Sequence, residues 1–243
     1  MRRSDDVVSL AYVHDAEVAH SWHQSVMALV AHDITNSQHV ARGMWLATKY
    51  GTGGIAQARN DTARRFLTDT TSDWLLWIDT DMGFAANSVD RLLDVADPDA
   101  CPVVGGLCFA MKEVGVEGMG GMIVQPKPTL YGYSTEAGFE GFRNADDYPR
   151  DQVVPVAGTG SAFILIHRSA LERVAEAYGP EWYTPTLNPA TKSFMSEDLS
   201  FCVRLGSLGI PVHVHTGVQT SHLKYVWLDE RLADRLTPAM VPA

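Results

Sequence analysis

The segment Trp74-Leu75-Leu76-Trp77-Ile78-Asp79-Thr80-Asp81 constrains the fold more than any other stretch of this chain. Its five consecutive apolar residues lie between polar flanks, the pattern of a strand buried on both faces inside a parallel sheet. The abrupt switch to Asp79-Thr80-Asp81 marks the carboxyl end of that strand and leaves two carboxylates on it. Comparable runs end at His14-Asp15 (from Val7), at Thr48 (from Gly43) and at Leu107 (from Pro102). Between them, helical spacing of apolar residues covers Glu17 to Val30, Ile55 to Thr68, and Asn87 or Ser88 to Val95. Strands alternating with helices predict an α/β fold with a central, mostly parallel sheet flanked by helices.

From Ala110 to Gln152 the texture changes. Gly, Pro, Met and Tyr become frequent and periodicity fades, so loops and a hairpin around Thr129 to Tyr133 are expected. Val153–Val156 and Ala162–Ile166 resume strand character around Gly158-Thr159-Gly160-Ser161. Ser169 to Tyr178 reads as a helix stopped by Gly179-Pro180, and Pro185 to Phe194 as a loop. Ser196 is a suitable N-cap for a helix from Glu197 to Leu208, Gly209 a suitable C′ residue, and Ile210 to His215 the last strand. With no repeat, low-complexity tract or linker, residues 1–243 read as one domain, whose texture changes after about residue 109 and which ends in a C-terminal tail over 223–243.

Composition adds exclusions. A 46% hydrophobic and 20% charged chain has ample apolar material for a core, so it is not intrinsically disordered. No stretch reaches the roughly 18 apolar residues of a spanning helix, and the Arg2-Arg3 start lacks a signal-peptide apolar segment. Cys101, Cys108 and Cys202 sit singly in apolar runs and read as buried thiols in a reducing compartment, so a cytoplasmic location is expected. The net charge of −10 disfavours a coat for nucleic acid or anionic membrane, without excluding a local basic groove.

Three groups of residues carry chemistry. Asp79 and Asp81 lie at the carboxyl edge of the sheet, where open α/β folds bind ligands. Carboxylate oxygens suit a hard divalent ion, Mn²⁺ or Mg²⁺, that bridges protein to phosphate. D-x-D text alone has little weight, since Asp97-Pro98-Asp99 matches it from a Pro turn. Glu197 and Asp198 open a helix, where the dipole favours negative charge, after a loop holding Trp182, Tyr183 and Pro185 that could seat a substrate ring. His213 and His215 share a strand face, and His222 follows in a loop free to reach the carboxyl edge. First-turn acids and strand-edge histidines of no special role look identical in sequence.

The order of these motifs resembles GT-A glycosyltransferases, in particular glycosyltransferase family 2-like proteins, including small stand-alone ones encoded by bacteriophages. The resemblance runs from about Val7 to His222 and implies a nucleotide-binding half over about 7–109 and an acceptor-binding half over 110–222. It is strongest over Trp74–Asp81, Ala157–Ser161, Ser196–Asp198 and Ile210–His222, with Ala58-Arg59-Asn60 similar to the family's A-R-N stretch. It implies that Asp81 ligates the metal, that Asp79 contacts the ribose or the metal through water, and that His222 supplies a further metal or diphosphate contact. Arg59 with Asn60 or Asp61 would hold the base or ribose. Tyr12 and His14 would line the same pocket, joined by Thr80 and by the Gly158-Thr159-Gly160 turn. Asp198, beside Glu197, would take the proton of the acceptor hydroxyl, which implies inversion; retaining GT-A enzymes carry similar acidic pairs. The donor would be a UDP- or GDP-sugar. Leu199 to Arg204 lacks the Q/R-x-x-R-W stretch of processive synthases, which argues for transfer of a single sugar.

Other readings remain open at the level of sequence. A nucleotidylyltransferase would use Gly51-Thr52-Gly53-Gly54 as a phosphate cradle, yet the place after the first strand holds His14-Asp15-Ala16-Glu17. A Walker A loop and a Rossmann G-x-G-x-x-G turn are absent. A catalytically silent sugar-nucleotide or glycan-binding protein of the same fold is a further reading, and a metal-dependent hydrolase a third. The acceptor is not legible: a virion protein, a modified DNA base or a glycan all fit, with Met111, Met119, Met122, Tyr131, Tyr133 and Phe142 offering an adaptable apolar surface. Arg59, Arg64 and Arg65 would serve donor phosphates or DNA.

Overall fold

The structure, a computed structural model, describes residues 5–116, 121–136, 139–188 and 190–225. Met119 and most of the expected tail, from residue 226, lie outside the described residues. The strands are β1 Val8–His14, β2 Trp45–Lys49, β3 Trp74–Ile78, β4 Met82–Phe84, β5 Val103–Leu107, β6 Phe109–Val116, β7 Gly121–Pro128, β8 Tyr131–Ser134, β9 Gly141–Asn144, β10 Val153–Val156, β11 Phe163–His167 and β12 Val212–His222. The helices are α1 His20–Thr35, α2 Gly54–Asp69, α3 Ser88–Leu93, α4 Arg168–Tyr178 and α5 Glu197–Ser207.

An eight-stranded sheet runs in the order β10-β12-β5-β11-β3-β1-β2, with β4 paired to β12. Strands β1, β2, β3, β5 and β12 are parallel, and β11 is inserted antiparallel between β3 and β5. The mainly parallel sheet flanked by helices is the α/β, GT-A-like architecture expected.

The double burial of β3 follows from its alternation. Trp74, Leu76 and Ile78 pack into one core with Leu10, Trp22, Leu29 and Leu92, which belong to β1, α1 and α3. Leu75 and Trp77 pack into the other with Phe66, Leu171, Phe201 and Leu205, from α2, α4 and α5. All five β3 side chains are at most 1% exposed, so a single slip of register would exchange two filled cores.

Several boundaries differ from expectation. Helix α1 starts at His20 rather than Glu17, because the Ala19 amide donates to Thr80 O (2.8 Å) and ties the helix entry to the end of β3. The region from Ala110 to Gln152 holds two antiparallel hairpins, β6–β7 and β8–β9, and Thr129-Leu130 is the link between them rather than a turn. The last strand does not stop at His215. A register shift between His215 and Gln219 interrupts its pairing with β5, after which it continues to His222 beside β4. His222 is therefore a strand residue rather than a loop residue.

Candidate functional site

The parallel strands deliver their carboxyl ends to one edge. Asp79, Thr80 and Asp81 follow β3, His14 ends β1, and β12 brings His222 alongside Met82. Antiparallel β11 starts at the same edge, so the preceding Gly158-Thr159-Gly160 turn lies there too, and Asp79 N donates to Ala162 O at 2.8 Å. Helix α5 aims its first turn at this turn: a Cβ placed on Gly160 would stand 3.7 Å from Asp198 Oδ2. Ser196 caps the helix by accepting from Leu199 N, which orients Glu197 and Asp198 in the first turn.

Beneath the edge lies Arg59. Helix α2 buries it completely between Trp77, 5.0 Å from the guanidinium, and Tyr183, 5.7 Å away. Its Nη2 donates to Asp79 Oδ1 at 2.8 Å, and its Nε lies 3.9 Å from Asp198 Oδ1. Arg59 Nε and Nη1 and Asp198 Oδ1 are buried with no hydrogen-bond partner among the described residues. Burial works against the Arg59 charge, but Asp79 and Asp198, then Tyr183 and Glu197, hold it above its ordinary range. Burial pushes the Asp79 carboxyl up; Arg59 pulls against this, and Asp198 adds to it. Glu197 is also pushed up, first by burial and then by Asp198. The guanidinium thus lets three carboxylates, Asp79, Glu197 and Asp198, gather at one edge.

Asp81 has a separate set of partners. His222 Nδ1–H donates to Phe109 O (2.8 Å), which leaves Nε2 facing Asp81 Oδ2 at 3.0 Å. Lys224 Nζ donates to the same oxygen at 2.8 Å. Burial opposes the Asp81 charge, yet hydrogen bonds from His222 and Lys224 prevail and hold its pKa down at about 2. Burial likewise opposes protonation of His222, but the Asp81 and Phe109 contacts push its pKa up. These residues fit a divalent ion in two respects. A backbone carbonyl fixes the tautomer of a ligating His. Two donors about 2.1 Å from a metal, at right angles, stand roughly 3.0 Å apart. Among the described residues, however, no group of three or more His, Cys, Asp or Glu side chains is placed to hold a metal, because Asp79 is turned to Arg59.

The remaining expected donor contacts are placed as follows. Tyr12 is half-buried against Trp22 (5.0 Å) and His14 (5.9 Å), and His14 donates to Asp15 O. Thr80 and Asp81 share a cleft of about 250 Å³ with Glu17, Lys224 and Tyr225. Asn60 is buried, accepting from Tyr183 N (2.7 Å) and donating to Thr184 (3.0 Å), so it anchors the loop before α5. Asp61 is half-buried on α2, paired with Arg64 and Gln57. Gly158 is packed under the β8–β9 hairpin, and Thr159 is buried.

One expectation is corrected. Trp182 and Tyr183 do not offer rings to a substrate: they are 2% and 0% exposed, with Trp182 Nε1 donating to Leu171 O and Tyr183 packed on Phe201. Lys224 was not singled out from sequence. Its signal is alternation, since His222 and Lys224 are two residues apart at the end of an extended strand.

No protein-family model matches the chain, and no curated protein matches it in sequence. Solved structures do match its fold. GalNAc-T7, determined with UDP, GalNAc and Mn²⁺, superposes over 90% of this chain and 43% of its own length, with a TM-score of 0.58 and 11% identity. The chain thus spans less than half of that enzyme. A197 from STIV aligns over 90% of this chain and 86% of its own, with a TM-score of 0.49 and 15% identity. A CMP:2-keto-3-deoxy-manno-octonic acid synthetase complexed with CTP aligns over 86% and 89%, with a TM-score of 0.42 and 11% identity. The chain has a GT-A-like fold. Among the described residues no helix is long and apolar enough to cross a membrane.

Proposed function

We propose that this protein is a metal-dependent glycosyltransferase that moves one sugar from a nucleotide-sugar donor, a UDP- or GDP-sugar, to an acceptor hydroxyl. The observation that carries this reading is the convergence on one sheet edge of Asp79 and Asp198, ordered around the buried Arg59, with Asp81 and His222, which face each other. The GT-A-like fold supports it.

Asp81 and His222 are the residues that would hold Mn²⁺ or Mg²⁺, which when bound neutralises charge on the departing nucleoside diphosphate. Asp79, oriented by Arg59, would accept from the ribose. Asp198 sits at the amino end of α5 beside the Gly158-Thr159-Gly160 turn, with its side chain 24% exposed. It is thus positioned to take the proton of an acceptor hydroxyl, provided that hydroxyl comes within about 3 Å. That role implies inversion of configuration. The β8–β9 hairpin, with exposed Tyr133 stacked edge-on against Phe142 (5.3 Å), would form part of the acceptor side.

The test is incubation with Mn²⁺ and each of a panel of nucleotide sugars. Release of nucleoside diphosphate from one of them, abolished by chelation, is expected. Absence of release with every donor would support a silent binding protein instead, and pyrophosphate release from a nucleoside triphosphate and a sugar phosphate would support a nucleotidylyltransferase. Anomer-resolved NMR of the product tests Asp198: a retained configuration would remove its role as base.

A further inference from the structure

Lys224 stands where a cation is wanted. Its ammonium lies 2.8 Å from Asp81 Oδ2, the oxygen that also faces His222 Nε2 at 3.0 Å. The two contacts converge on one oxygen, so a divalent ion shared by Asp81 and His222 would meet the lysine at its own ligand. Backbone geometry holds the lysine in reach: Leu223 N donates to Asp81 O at 2.9 Å, which fixes the chain just before Lys224 on the Asp79–Asp81 turn. The side chain is 41% exposed and lines the cleft that also contains Thr80 and Asp81, so its flexible four-carbon stem can swing within that cleft without disturbing the core.

We infer that Lys224 is a built-in counter-cation of the donor site, which neutralises Asp81 while the site is empty, competes with the incoming divalent ion, and then turns to the diphosphate of the donor. The inference rests on the glycosyltransferase reading above and adds to it a residue with two partners. Two like-charged cations cannot share one carboxylate oxygen at hydrogen-bond distance without strong repulsion, so one must leave when the other arrives. The leaving ammonium remains in the same cleft as Asp81, and a diphosphate bound there is the strongest anion within its reach.

Two affinities of opposite sign test this. Mn²⁺ binding to nucleotide-free protein, followed by electron paramagnetic resonance of the free ion, is expected to tighten roughly two- to fivefold in Lys224→Met, the range of a partly exposed ion pair. Binding of UDP or GDP in saturating Mn²⁺, followed by calorimetry, is expected to weaken in the same variant. Arg173→Met, which removes an exposed charge on α4 away from the sheet edge, controls for net charge and is expected to leave both affinities as in the wild type. Equal Mn²⁺ affinity in wild type and Lys224→Met, or the same tightening in Arg173→Met, would overturn the competition. Unchanged or tighter nucleotide binding would overturn the hand-over to diphosphate. Absence of Mn²⁺ binding in both wild type and Lys224→Met would overturn the metal site of the proposed function and this inference with it.

Discussion

Arg59 donates to Asp79 at 2.8 Å from a position that is 1% exposed, so the carboxylate at the end of the central strand rests on a buried charge. The same guanidinium lies 3.9 Å from Asp198, on a helix more than a hundred residues further along the chain. Strand β3, helix α2 and helix α5 therefore meet at one cation. Removing it would leave Asp79 and Asp198 facing each other with nothing between.

Arg59→Met is expected to destabilise the fold by about 3–5 kcal/mol, the cost of leaving a buried charge without its partner. Urea denaturation measures it. A loss below about 1 kcal/mol, the value of an exposed pair, would show that Asp79 does not depend on Arg59.

Asp198→Asn keeps the volume and the helix cap, so stability should change little. Turnover is expected to fall by about 10²–10⁴ if Asp198 is the base, while donor affinity holds. Single-turnover kinetics beside calorimetry of the donor separate the two. Loss of donor affinity with unchanged turnover would reassign Asp198 to binding.

Burial pushes all three thiols up, Cys101 to about 11 and Cys108 and Cys202 to about 12, from the ordinary 9.0. The folded state then holds protons that the unfolded chain releases. The stability this contributes is fully present below about pH 9 and is lost as pH rises through 11–12. Native protein at pH 8 should resist an aromatic disulfide reagent at all three positions and react at all three in denaturant. Rapid labelling of one thiol in the native protein would contradict its placement.

Gly158 joins the β8–β9 hairpin to helix α5. A Cβ there would stand 2.8 Å from the Phe142 ring and 3.0 Å from Leu199. Gly158→Val is expected to cost about 1–3 kcal/mol by overpacking and to displace the hairpin from the edge. Thermal denaturation with near-ultraviolet circular dichroism of Tyr133 and Tyr131 reads both. An unshifted melting point would place the hairpin further from α5 than described.

How much of this was legible follows from which residues face a core. Strand β3 was readable because both its faces are filled, so no polar residue interrupts it. Strand β12 was readable only to His215: its pairing with β5 is interrupted before Gln219, and Thr216, Gly217 and Gln219 break the apolar pattern that would have marked its continuation. Strands β6 and β7 pair with each other rather than joining the central sheet, so Lys112, Glu113 and Gln125 carry no alternation toward a core. At the site, the acidic residues were visible because carboxylates at a strand end and in a helix's first turn are local features. The Arg59–Asp79 pair and the convergence of His222 and Lys224 on Asp81 were not. They depend on residues 20, 141 and 143 positions apart that only the sheet order brings together. Trp182 and Tyr183 misled for the converse reason, since aromatic residues in a loop read alike whether they face a ligand or fill a core.

The edge formed by Asp79, Asp81 and His222 is proposed to bind a nucleoside diphosphate with a divalent ion. The most direct measurement is anomalous diffraction from crystals grown with Mn²⁺ and UDP or GDP. A single Mn²⁺ peak within about 2.5 Å of Asp81 and of His222 Nε2, with the diphosphate against it, is the predicted result. Nucleotide bound elsewhere, or an Asp81–His222 pair that stays closed with no Mn²⁺ at any concentration, would contradict it.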